Sequence, residues 1–370
     1  MFGKTVVKWI MMAANIVAVL FMLMTLIGSV LSPLKFVYTA YFALFFPVTI
    51  CINIGFVVFW ILSRKWFFLL SLAILLFSST QIANTFPVHF GKRENTQTYN
   101  PIKLLTYNTR MSGGLKKHTA HSPNKVMQYI LDSDADIVCL QEFTVSSNKE
   151  YLTQDDIFRI FKKYPYKHIQ YKQKTLDNDK LSGIATFSKY PIVHRHIIDY
   201  PSNYNVSIFT DINIHGKIIR LVNNHLESNR LTEHDKDMPR TLKENFDTKR
   251  FTGITMHFSH KLAVAYKLRA LQADAVAKVI EESPYQVIVC GDFNDVPSSY
   301  SYTTVKGKLK DTFAETGTGL GWTFNDRYYH FRIDYVFYDP YAFTPLQYKT
   351  DKVNYSDHYP VLCKLNINDI

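Results

Sequence analysis

No aspartate or glutamate occurs before Glu94, and the chain ahead of it is dominated by three apolar runs. Met11 to Leu31 carries no charge. Phe36 to Leu62 is a second such run, with Pro47 expected to kink it. Trp66 to about Ala83 is a third and shorter one. A bilayer core takes ~20 apolar residues in a helix, so the first two runs are long enough to cross one. The third is at the limit and reads either as a span or as an interfacial or core helix. The first run is too long for a signal-peptide core, and others follow it, so cleavage is not expected. We therefore expect a transmembrane region over 1–90, with helices at about 6–31, 36–62 and 66–83. Residues 91–100 (GKRENTQTYN) read as a polar linker, and 101–370 as a separate domain.

Charge bears on orientation and on partners. Seven Lys or Arg precede Glu94, so the net charge of +11 divides into +7 there and only +4 over the rest. The pI of about 9.2 thus belongs mostly to the membrane region and is weak support for a nucleic-acid surface. Lys4, Lys8, Arg64 and Lys65 fall on one side of the spans; Lys35, Lys92 and Arg93 fall on the other. That bias favours a cytoplasmic N-terminus. Three spans then make an integral, multi-pass protein whose C-terminal domain is outside the cytoplasm, whereas two leave the domain inside. Cys51, Cys139, Cys290 and Cys363 show no CxxC or zinc spacing and read as free thiols in apolar segments.

Beyond the linker, short β-branched runs alternate with helix-like stretches. Strands are expected at 102–107, 136–140, 183–187, 217–223, 285–290, 333–338 and 360–365, and helices at 124–131, 154–163 and 263–282. This mixture describes one large α/β or α+β domain. Asn229 to about Lys261 is polar, without a clear period, and reads as an inserted loop. It directly follows His225, so it is expected to border any site there.

Several of these runs end alike. They lead into Asn108, Gln141-Glu142, Asn223-Asn224-His225 and Asp292-Phe-Asn294. Ser356-Asp357-His358 immediately precedes another, and Asp334 opens a sixth. One acid at a strand end is ordinarily a turn or cap residue. Repetition points to a site, because ligands of layered α/β proteins sit outside strand ends. The chemistry is coherent. Glu142 and Asp357 are hard oxygen ligands suited to Mg²⁺, and Asn108 adds an amide oxygen. His225 and His358 can handle protons or phosphate oxygens. Asp334 can fix the tautomer of one His.

In this order the motifs resemble the endonuclease/exonuclease/phosphatase superfamily, which includes deoxyribonucleases, neutral sphingomyelinases, deadenylases and inositol polyphosphate 5-phosphatases. The resemblance covers about residues 100 to 366. It implies an α+β fold of two packed mixed β-sheets flanked by helices, a four-layer sandwich, here preceded by the transmembrane helices. It implies hydrolysis of a phosphoester with Mg²⁺ or Mn²⁺ as cofactor. Glu142, Asn108 and Asp357 would hold the metal. Asp292 or His358 would deprotonate the attacking water, Asp334 would orient His358, and Asn294 and His225 would contact the phosphate. Gln-Glu142 is followed by Phe143-Thr144 rather than the Thr-Lys of abasic-site endonucleases, and the Trp-Cys-Asp-Arg signature of 5-phosphatases is absent. Gly-Asp292-Phe-Asn294-Asp-Val-Pro-Ser is closer to the sphingomyelinases and deadenylases. The expected partners are a lipid bilayer and a phosphoester, either a lipid head group or a nucleic acid; no obligate protein partner is evident. A binding protein that kept the fold but lost catalysis would lack part of this set, which is complete here.

Other motifs carry less. Thr316-Gly-Thr-Gly-Leu-Gly lacks nucleotide-loop spacing, the pairs His118/His121 and His194/His196 lack acid or Cys partners, and no GxSxG occurs.

Overall fold

A computed structural model describes residues 2–89, 101–114, 116–119, 121–174, 179–232, 234–235, 237–238, 247–327 and 329–368. The expected linker lies outside them. Two helical stretches, Thr5–Val30 and Val37–Leu62, are long and apolar enough to cross a membrane. The third run is bent: helices Phe68–Phe77 and Ser79–Thr85 meet at 67° and together have the length and composition of one more span. Pro47 does not kink a helix. A 3₁₀ helix, Val37–Phe45, hands over to helix Phe46–Leu62, and Pro47 stands in its first turn, where a missing N–H leaves no bond unmade.

The three apolar runs share a core of Met22, Phe46, Ile50 and Ile74. They also share a polar network. Asn15 donates to Ser71 Oγ (3.0 Å), Ser71 donates to Asn53 Oδ1 (2.9 Å), and Trp60 Nε1 donates to Asn15 Oδ1 (2.9 Å). Polar groups in an apolar bundle are costly unless paired, so this network pins the third run against the first two.

Among the described residues the C-terminal part forms fourteen strands. They are β1 (Pro101–Asn108), β2 (Ile137–Ser146), β3 (Tyr166–Lys174), β4 (Lys180–Ser188), β5 (Ile192–Ile198), β6 (Ser207–Ile214) and β7 (Lys217–His225). Next come β8 (Gln286–Asp292), β9 (Lys310–Asp311), β10 (Phe324–Asn325), β11 (His330–Phe331), β12 (Asp334–Tyr338), β13 (Phe343–Thr350) and β14 (Val361–Ile367). One sheet has the order β13-β14-β1-β2-β4-β3 and the other β5-β6-β7-β8-β12-β9. Both are mixed: β1 and β2 are parallel, as are β7 and β8, and their other neighbours are antiparallel.

Side-chain alternation makes the layers. Along β8, Ile288 and Cys290 face the other sheet, while Val287 and Val289 face outward into a second core. Strands β1, β2 and β12 alternate in the same way. Period-two burial on both faces needs a cover on each side. Helices Lys125–Asp132 and Gln154–Ile160 cover one sheet, and Thr248–Glu281 and Tyr300–Lys306 cover the other. Asn229–Lys261 is not wholly a loop, because the helix expected from Ala263 begins at Thr248. Its first part carries exposed Phe251 and Met256. Burial starts only at Ala265 and Tyr266, whose ring packs on Tyr41, and the helix joins the sheet's outer core from Ala273. An apolar period is imposed by packing, so the unpacked part shows none.

Candidate active site

The strand ends converge. In the parallel pair β1–β2, Asn108 stands opposite Gln141; in β7–β8, His225 stands opposite Asp292, which in turn faces Asp334 across the antiparallel β8–β12 pair. Gln141 Nε2 donates to Asn223 Oδ1 (2.7 Å) and ties the two sheets together beneath the site.

Glu142 sits where the β2–β4 register slips between Leu140 and Phe143, with φ at +50°. A bulge of this kind turns a side chain out of the alternation. The Thr109 hydroxyl, whose one proton is shared between the carbonyls of Gln141 and Glu142 (3.1 Å each), holds the turn. The Glu142 side chain is 34% exposed while Asp292 is only 1% exposed. Glu142 therefore faces the opening and Asp292 the interior. Gly291 makes this approach possible. Its φ is +126°, and a Cβ there would stand 2.1 Å from the Asn224 carbonyl oxygen.

Asn108 joins the two acids, with Nδ2 2.8 Å from Asp292 Oδ2 and 3.4 Å from Glu142 Oε1. Asn294, also at positive φ, donates from its backbone to Asp292 Oδ1 (2.8 Å) and from its side chain to the Leu226 carbonyl (2.9 Å). His225 Nε2 lies 3.8 Å from both Glu142 Oε1 and Asp292 Oδ2. His358 Nδ1 is bonded to Asp334 Oδ2 at 2.8 Å, and its Nε2 lies 3.7 Å from Asp292. Asp357 stands apart at the rim, with Oδ2 3.5 Å from Arg110 Nε.

Burial separates the charges. Desolvation raises the Asp292 carboxyl to about 6, against the attraction of His358. Burial alone would lower His358, but the carboxylates of Asp334 and Asp292 outweigh it and raise the imidazole to about 10. His225 is displaced downward, chiefly by burial, so it is neutral at pH 7. Burial also raises Glu142, opposed by His358 and Asn108.

The Glu142 carboxylate offers hard oxygen donors for a divalent cation at the open side. Asn108 turns Nδ2 toward it while its Oδ1 accepts from the Arg110 N–H (3.1 Å), so its amide would have to rotate to add an oxygen ligand. His225 Nε2, both amide atoms of Asn224 and Asp334 Oδ1 are buried without a partner, as expected of groups shaped around a ligand. Asp292, Asp334 and His358 also bring ligand atoms within 4.8 Å of one another. A protonated imidazole locked to a carboxylate is a poor metal ligand, so we read that trio as proton-holding. A cleft of about 310 Å³ adjoins Glu142 and His225 and is lined in part by Met111, Tyr204 and Arg230. Arg230 stands just past His225, at the start of the 229–261 segment. Its guanidinium bonds Glu227 and lies 4.2 Å from the Tyr204 ring. The sequence placed Asn224 at one of the strand ends but assigned it no role, and it did not reveal Arg110 or the Tyr204–Arg230 pair. The Asn223-Asn224 doublet in a buried strand was the one signal available.

A sequence profile of the endonuclease/exonuclease/phosphatase family matches residues 105–358, and one for a domain of unknown function matches residues 8–85. No curated protein gives a significant match. Among solved structures, an endonuclease/exonuclease/phosphatase from Beutenbergia cavernae is similar at 14% identity and TM-score 0.50, over 73% of this chain and 72% of that one. It has the same fold. The human Nocturnin catalytic domain with bound sulfate is 16% identical over 72% of this chain and 95% of its own, at TM-score 0.49. D. rerio TDP2 complexed with single-strand DNA product is 15% identical over 72% of this chain and all of its own, at TM-score 0.45.

Proposed function

The chain belongs to the endonuclease/exonuclease/phosphatase family, and on that premise we propose that it is a membrane-anchored, divalent-metal-dependent phosphoester hydrolase. One observation carries the reading: an open carboxylate, a buried carboxyl near neutral pKa and a charged His–Asp pair meet at one cluster of strand ends. Glu142 and Asn108 would hold Mg²⁺ or Mn²⁺, with Asp357 as a further ligand from the rim. When bound, the cation polarises a phosphate oxygen and offsets charge developing on it. Asp292 is the better base of the two candidates, because His358 already holds its proton. His358, oriented by Asp334, presents Nε2–H to the phosphate. His225 and Asn294 add neutral hydrogen bonds to it.

The substrate we favour is a lipid head group, since spans beside the domain concentrate it on membrane substrates. An extracytoplasmic nuclease is the second reading. The Tyr204–Arg230 pair beside the site favours it, since an aromatic ring stacked with a guanidinium suits a nucleobase. We further propose a multi-pass anchor that leaves the domain outside the cytoplasm.

The test uses the full chain in detergent, Mg²⁺ or Mn²⁺, and activated diester and monoester substrates. Turnover should vanish with chelator, and Glu142→Ala should lower kcat by about 10²-fold or more. No turnover with either metal, or full activity in Glu142→Ala, overturns the reading. Sphingolipid, DNA and RNA substrates then separate the two readings.

A further inference from the structure

The helical module does more than lie next to the domain. Its exit segment, 84–89, runs along loops that hold the site. Arg332, which is 3% exposed, donates from Nη2 to the Asn84 carbonyl (2.6 Å) and from Nη1 to Asp311 Oδ2 (2.7 Å). Gly319 N donates to the Pro87 carbonyl (3.1 Å), and His89 Nδ1 lies 2.7 Å from the Gly317 carbonyl. These contacts fix both ends of the hairpin β10–β11: the 317–323 loop before it and Arg332 just after it.

Thr323, where that loop ends, is the junction. Its hydroxyl accepts from the backbone N–H of Ile333 and of Asp334, each at 3.0 Å. Its carbonyl accepts from the N–H of Tyr359 at 2.6 Å. The Tyr335 hydroxyl lies between the Arg332 carbonyl (2.7 Å) and the Asp295 carbonyl (2.8 Å), which share its one proton. Hydrogen bonds linked by short stretches of chain (319–323 and 332–334) therefore lead from residues 84–89 to Asp334 and to the neighbour of His358.

We infer that the helical module is a positioning part of the active site, holding the Asp334–His358 pair in place through Arg332 and the 317–323 loop. This rests on the proposed hydrolase reading. Arg332 touches neither substrate nor metal; it acts through Asp334. A buried guanidinium serving two acceptors on different parts of the chain sets their separation, and a point-charge Lys cannot reproduce that fork. Small displacements of catalytic groups are costly: about 1 Å can lose about 10²-fold in rate.

The test again uses the full chain in detergent, with a soluble activated ester so that access to membrane substrate plays no part. Arg332→Gln should lower kcat by about tenfold or more with KM within about twofold, and should speed amide exchange at Ile333, Asp334 and Tyr359. Arg332→Lys, which keeps a charge for Asp311, should recover part of the loss. His89→Ala should move kcat the same way by less. Tyr41→Phe breaks another contact between module and domain, the 2.7 Å bond to the Ser259 carbonyl, away from this path, and should leave kcat unchanged. Wild-type kcat in Arg332→Gln with only a lower melting temperature overturns the inference, as does an equal loss in Tyr41→Phe. If the wild-type chain hydrolyses nothing, the hydrolase reading fails by itself. The exchange comparison then decides: unchanged exchange at Asp334 in Arg332→Gln overturns the positioning path.

Discussion

Asp292 and His358 lie 3.7 Å apart, are both buried, and are displaced from their ordinary pKa in the same direction for different reasons. Desolvation favours the neutral form of a lone carboxyl, whereas two carboxylates around an imidazole favour its charged form. Residue identities at the strand ends were legible in the sequence, but the ordering of proton affinities was not, because it depends on which neighbours surround each group. Among residues away from the site, His168 shows the same dependence. It is 7% exposed on β3, with Nδ1 2.9 Å from the Thr210 hydroxyl on β6 of the other sheet. Burial, then the nearby Arg195, lowers it from 6.5 to about 4. The folded state therefore binds the proton less readily than the unfolded state. The resulting stability is complete above pH 6.5 and is lost as pH falls from there toward 4, by up to about 3 kcal/mol. Thermal unfolding of the full chain should show that loss, and His168→Gln should flatten it over this window. A His168→Gln chain with the wild-type pH dependence would count against a buried neutral imidazole.

At the scale of elements, most strands buried on both faces were legible. Strand β6 was not, although it is buried along nearly its whole length, because its apolar run is broken by Asp211, a charge that only the partner Arg220 on β7 makes tolerable inside. Strands β1, β2, β8 and β12 carry apolar residues on both faces, and their runs stand out. Strands β3, β5 and β13 lie at or near sheet edges with mostly half-exposed or exposed side chains, and they left no such trace. The bulge at Glu142 was hidden for another reason, since a register slip depends on the partner strand. The close approach of β7 and β8 makes a sharper demand. Gly291→Ala would force a Cβ to 2.1 Å from a backbone oxygen at a φ that L-residues avoid. It should cost about 2–4 kcal/mol and displace Asp292, with activity lost beyond what the melting temperature explains. Gly216 is the control. Its φ is +91° in the β6–β7 turn, but a Cβ there meets nothing within 4 Å. Gly216→Ala should lower stability by about 1 kcal/mol and leave kcat unchanged. Equal effects at the two positions would mean that backbone conformation, not the strand contact, sets the requirement.

For the whole molecule the decisive relation is which end of the helical module meets the domain, and no local pattern could reveal it. The Asn84–Arg332 contact joins residues 248 positions apart. At one end of the module Lys8 Nζ lies 5.2 Å from the Phe67 ring, so the N-terminal part of the first helix and the Arg64–Lys65 turn are neighbours. At the other end the domain docks on the 3₁₀ helix, through the Ser298 hydroxyl to the Ala43 carbonyl (3.0 Å), and on residues 84–89. Ser71 bonds to Asn53 and Asn15, well inside the first two apolar helices, which places the third run between those two ends. If a bilayer surrounds this bundle, the basic end and the domain face opposite sides, and the basic end takes the cytoplasm. Single cysteines at Ser63 and at Lys308 in a chain with Cys51→Ser give the check, using a membrane-impermeant thiol reagent on intact cells. Labelling at Lys308→Cys without Ser63→Cys is the expected outcome. Labelling at Ser63→Cys alone would reverse the orientation, and labelling at both would remove the third crossing. Either result would also move the substrate, since a domain on the cytoplasmic side meets different phosphoesters from one held outside.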